Sequence, residues 1–93
     1  MGIAVVMTHT HRFSWLDERM GREPAWSNMG RKGMEQAALM VPELSVNGRH
    51  NYATTLVNTW LAAYGANKRE EVGWIYLDFP SKDEYVAWCL AWS

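Results

Sequence analysis

Apolar and polar positions recur along this chain with several periods, and each period predicts an element. Residues 3–9, "IAVVMTH", are apolar and β-branched and predict a buried strand. Residues 10–27 carry no clear period. Within them, "FSWLDERM" predicts a short helical turn capped by Ser14 with Asp17 near its start, and "GREPAW" predicts a loop punctuated by Gly21 and Pro24. In "SNMGRKGMEQAALM", Ser27 or Asn28 can cap a helix that runs to Met40 and stops at Pro42. Gly30 and Gly33 weaken its first turn, which moves the expected start toward Gly33. Asn47-Gly48 is a strong two-residue turn signal and predicts a short strand over 43–46 that ends in a turn.

The second half of the chain is more regular. Asn51 is placed to cap a helix in which Tyr52, Leu56, Trp60 and Tyr64 recur every four residues, with Val57 and Leu61 beside them and Gly65 at the end. "ANKREE" reads as a polar connection. Residues 72–79 alternate, with Val72, Trp74, Tyr76 and Asp78 on one face and Gly73, Ile75, Leu77 and Phe79 on the other. Apolar bulk on both faces predicts a central strand covered on both sides. Ser81 and Glu84 form a capping box for a last helix. There Tyr85, Trp88, Cys89 and Trp92 make one stripe, widened by Val86 and Leu90, which implies burial on more than one side. The expected order is β-α-β-α-β-α: a single α+β domain over residues 1–93, with two to three strands and about three helices. Two strands make a poor sheet, so a third short strand or a dimer-completed sheet is expected.

Composition narrows the function classes. A chain of 93 residues supports one small core and has no room for a (β/α)₈ barrel. A net charge of −1 implies neither a polyanion nor a strongly nucleic-acid-binding surface. Cys89 is the only cysteine, so an intrachain disulfide and a multi-cysteine zinc site are excluded, and a reducing, cytoplasmic setting is expected. The N-terminal apolar run is too short for a signal-peptide core, and no run reaches membrane-spanning length, so no membrane partner is expected. Six tryptophans, of which Trp60 and Trp74 are expected in the core, are many for this length and suggest large contact residues.

Three constellations bear on chemistry. His9 and His11, at the end of the first predicted strand, share a strand face and can reach one ion. The stretch "HTHRFSWLD" resembles the first motif of the polymerase-and-histidinol-phosphatase family of metal-dependent phosphoesterases. That resemblance implies a metal-dependent hydrolase, with His50 as the third ligand this chain can offer. Ser14 and Asp17 fall one position early for the motif, and Glu18 stands where a glycine is expected. Histidines facing solvent at the end of an edge strand are the reading preferred here. "GRKG", residues 30–33, resembles the G-x-x-G loop with which KH domains clamp a nucleic-acid backbone, and implies binding through Arg31 and Lys32. Trp74 and Tyr76 share a strand face, as stacking platforms do. Cys89 lies among Trp and Leu in a helix and reads as an inert thiol, and no nucleophile or phosphate-loop motif is present.

No complete catalytic set emerges, and no cofactor is expected. The expected function is therefore a small, non-enzymatic protein-binding module, an inhibitor or adaptor of a larger complex in the manner of phage anti-defence proteins. Self-association as a homodimer through the last helix is the simplest version. The expected surface joins Tyr85, Trp88 and Trp92 of the last helix to Trp15, Arg19, Arg22 and Trp26 of the irregular segment. One alternative is a single-stranded nucleic-acid or nucleotide binder using Arg31, Lys32, Trp74 and Tyr76. The other is a metal-dependent hydrolase using His9, His11 and His50.

Overall fold

The strand with the clearest alternation is the centre of the molecule. In the computed structural model, which describes residues 8–93, β3 (Trp74–Phe79) lies between β1 (His9–Ser14) and β2 (Asn67–Glu71) in an antiparallel sheet of order β1-β3-β2. Four helices complete an α+β fold among the described residues: α1 (Trp15–Arg19), α2 (Pro24–Met40), α3 (Val46–Ala62) and α4 (Lys82–Ala91). The third strand comes from "ANKREE", expected as a connection. It pairs as a short, charged edge strand, a composition that discourages further strand addition. Gly73, at φ 84°, closes the hairpin between β2 and β3.

Ile75, Leu77 and Phe79 of β3 and Phe13 of β1 face the helices. They pack with Ala25 and Met29 of α2, Val57 and Leu61 of α3, Ala66, and Trp88 of α4. The opposite face of β3 carries Trp74, Tyr76 and Asp78 and contributes nothing to this core, so among the described residues the expected cover on both sides is not found.

The N-terminal strand expected over residues 3–9 lies largely outside the described residues; β1 begins at His9 and continues through the stretch expected to be irregular. The turn after it follows the expectation. The Ser14 hydroxyl accepts from the Asp17 N–H at 3.0 Å, and the Asp17 carboxylate accepts from the Ser14 N–H at 3.2 Å.

Two helices begin earlier than expected. Pro24 is the first residue of α2, a position where its missing N–H leaves no hydrogen bond unmade. "GRKG" therefore lies inside a helix and forms no KH-type loop. A Cβ at Gly33 would stand 3.2 Å from the Ala53 carbonyl oxygen and 3.4 Å from Val57 Cγ2, so this glycine lets α2 and α3 approach closely. The helix α3 starts at Val46 because the Ser45 hydroxyl accepts from the Gly48 N–H at 3.1 Å. That cap draws Asn47-Gly48 into the first helical turn and removes the strand expected over 43–46. Gly65, at φ 68°, ends the segment after α3 as expected. Ser81 caps α4, accepting from the Glu84 N–H at 3.3 Å. Val86 and Leu90 are 42 % and 72 % exposed, so among the described residues α4 is covered on one side only.

Candidate protein-binding cleft

Tyr52, Leu56 and Trp60 of the expected stripe lie at the shoulder of α3, and Tyr64 lies in the turn just past its end. The buried positions are Ala53, Val57 and Leu61, one residue further on. Small residues set this rotation. Gly33 of α2 meets α3 at Ala53 and Val57, and Ala37 is buried one turn further on, so the helix axes come close and the large side chains are turned aside, half-buried. There Tyr52, Leu56 and Trp60 face Met40 and Gln36 of α2 and Trp92 after α4 across a cleft of about 480 Å³, with Lys32 at its edge. Trp60 and Trp92 stack with ring centroids 5.2 Å apart. The Trp92 carbonyl accepts from Asn28 Nδ2 at 2.6 Å, which fixes the end of the chain against α2.

The surface expected from the sequence is divided by this arrangement. Trp88 is not a contact residue: it is 1 % exposed in the core, and its Nε1 donates to the Met29 sulfur at 3.3 Å. Tyr85 is half-buried against the His9 and His11 rings at 4.5 and 5.0 Å and the Phe79 ring. Burial, and secondly a hydrogen bond with Cys89, pushes its hydroxyl up to about 12. Trp92 lies on one side of the buried stripe of α2, with Asn28 and Lys32; Trp26 lies on the other, with Gly30 and Met34. Trp15 is 48 % exposed at the start of α1, Arg19 is exposed at its end, and exposed Arg22 pairs with Asp17 at 3.2 Å. Asp17 is held below the ordinary carboxylate range, chiefly by its bonds to Ser14 and then by Arg22.

The four nucleic-acid candidates fall on two layers. Arg31 and Lys32 are exposed on α2, in the helical layer, while Trp74 and Tyr76 lie on the opposite face of the sheet. There the Arg12 guanidinium stands 4.3 Å from the Trp74 ring centroid, and the Arg69 guanidinium 4.5 Å from that of Tyr76. Arg69 also grips Asp78 with two bonds of 2.6 and 3.2 Å, and Thr10 donates to Asp78 at 2.6 Å. These bonds lower the Asp78 pKa and raise that of Arg69. Arg12 and Arg69 are absent from the sequence-level candidates; their pairing across the strands with Trp74 and Tyr76 depends on a register that the sequence does not state.

The three histidines are not gathered. His11 Nε2 meets the Glu23 carboxylate and His9 lies beside Tyr85, while His50 projects from α3 toward the Trp26 side. Among the described residues, no group of three or more His, Cys, Asp or Glu side chains is placed to hold a metal ion. Also among them, no helix is long and apolar enough to cross a membrane. Comparison of the chain with protein-family models, with curated proteins and with solved structures gives no match.

Proposed function

We propose that this chain is a small protein-binding module, an inhibitor or adaptor of a larger complex, and that the cleft between α2, α3 and the end of α4 receives an apolar segment of the partner. The observation that carries this reading is the half-exposed aromatic pair Trp60–Trp92, continuous with Tyr52, Leu56 and Met40 in one concave surface. Large aromatic side chains in a concave apolar site are the usual energetic centres of protein interfaces. A groove of this kind suits an amphipathic helix. The cytoplasmic setting expected for the module has the support of its single, unpaired thiol at Cys89.

The nucleic-acid reading has less support. Guanidinium groups already cover Trp74 and Tyr76, and Asp78 and Glu71 offset Arg12 and Arg69 on the same face. A pull-down from host extract with nuclease present tests the proposal. Wild-type protein should retain a stoichiometric protein partner. Leu56→Glu and Trp92→Ala should lose it, whereas Val72→Asp, on a residue 93 % exposed in the distant β2–β3 turn, should keep it. Capture that depends on nucleic acid, or that persists in both cleft variants, would overturn the reading. Sedimentation of the same variants separates a foreign partner from a second copy of this chain.

A further inference from the structure

On the other side of the buried stripe of α2 lies a cavity of about 210 Å³, bounded by α1, α2, α3 and β2. Trp26, Gly30 and Met34 line it at successive turns of α2, and Val57 of α3 contributes to its apolar wall. Gly30 is the unexplained residue. Glycine inside a helix lowers stability, and the close approach of α3 accounts for Gly33. No such contact exists at Gly30, where a Cβ would meet nothing within 4 Å. Its missing side chain leaves the cavity open.

The polar groups around the cavity favour a cation. Glu18 Oε2 accepts from Trp26 Nε1 at 3.0 Å, which fixes the indole as a wall. Glu70 also lines the cavity, 3.4 Å from Lys68 Nζ, and the Lys68 ammonium lies 5.6 Å from the Trp26 ring centroid. The chain thus already holds a cation of its own against this ring. Two carboxylates face one ammonium there, and His50 of α3 is the remaining titratable side chain that lines the cavity.

We propose that this cavity binds an organic cation, a guanidinium group on a short aliphatic stem, with the charge over Trp26 beside Glu18 and Glu70 and the stem along Gly30 and Met34. Lys68 is the internal competitor for the same ring. The inference does not depend on the cleft on the far side of α2.

Titration with agmatine and with N-acetyl-arginine amide, followed by calorimetry and by the indole N–H resonance of Trp26, tests it. Saturable one-to-one binding is expected. Lys68→Met should tighten agmatine about threefold by removing the competitor, and Glu18→Gln should weaken it about fivefold. Gly30→Leu fills the cavity from a position with free space and should weaken binding more than about tenfold while the thermal midpoint holds or rises. Binding of agmatine alone identifies a free small-molecule guanidine as the source of the cation. Binding of both compounds points to an arginine side chain of another protein. Absence of saturable agmatine binding, equal affinity in Gly30→Leu, or weaker binding in Lys68→Met would each overturn the proposal.

Discussion

Gly30 and Gly33 are separated by less than one turn of α2, and alanine at the two positions should change stability in opposite directions. The intrinsic gain is the same for both: an interior glycine costs a helix about 1 kcal/mol relative to alanine. At Gly30 nothing opposes that gain, because a Cβ would meet no atom within 4 Å. Gly30→Ala should therefore stabilise the fold by about 1 kcal/mol and raise the melting temperature by roughly 4–8 °C, the usual response of a domain this small. At Gly33 the same methyl would stand 3.2 Å from the Ala53 carbonyl oxygen and 3.4 Å from both Ala53 Cβ and Val57 Cγ2. The nearest of these atoms is backbone and has no rotamer to escape into, so α2 and α3 must separate. Overpacking of this kind costs about 1–3 kcal/mol, which leaves Gly33→Ala about 1 kcal/mol less stable than wild type and about 2 kcal/mol below Gly30→Ala. Urea denaturation monitored by far-ultraviolet circular dichroism reads the difference as a displacement of midpoints at constant slope. Equal stabilisation by both substitutions would refute the reasoning, since it would mean that the α2–α3 crossing has slack and that Gly33 does not set it. An open G-x-x-G loop would not produce opposite signs either.

Gly65→Ala should destabilise the fold by about 2 kcal/mol or more, because the residue sits at φ 68° and its Cβ would approach Pro80 Cγ to 2.7 Å; thermal denaturation measures this. Trp88→Ala should cost about 3–5 kcal/mol by opening a cavity under Phe79 and Met29, whereas Trp92→Ala, half-exposed, should cost less than half of that; a ranking in the opposite order in urea would contradict the burial assigned to the two rings. Asp78 has its pKa lowered from 3.8 by Arg69 and Thr10, so its stabilising contribution is present above that value and is lost as pH falls through the folded-state pKa. Asp78→Asn should accordingly flatten the acid limb of a stability–pH profile and leave its alkaline limb unchanged.

What the sequence made legible follows from which interactions are local. The caps at Ser14 and Ser81 and the alternation from Trp74 to Phe79 each depend on a few neighbouring residues, and each is found where expected. The starts of α2 and α3 differ from the expectation because one local signal outweighs another. Pro24 suits a first helical position as well as a loop, and the Ser45 hydroxyl, by accepting from the Gly48 N–H, caps a helix where Asn47-Gly48 reads as a turn. The β2 strand was missed because "NKREE" has no apolar alternation to detect; it is recruited by pairing with β3 and by the hairpin at Gly73.

The candidate surfaces were harder to read because a hydrophobic stripe does not say how deeply its helix is buried. Tyr52, Leu56 and Trp60 have the period of a core face, yet the true core face of α3 is Ala53, Val57 and Leu61, rotated by one residue. The rotation is imposed from outside α3, by the close approach that Gly33 on α2 allows at Ala53 and Val57. A larger residue at position 33 would hold the helices apart and alter how far the Tyr52–Trp60 stripe projects, with consequences for the cleft. The half-buried position of Trp60, expected inside and packed at the margin of the core, therefore has its origin in a glycine that the sequence pattern marked only as a helix-weakening residue. Gly33→Ala should for this reason diminish partner capture through the cleft at temperatures where the variant remains folded, an effect that loss of stability alone would not produce.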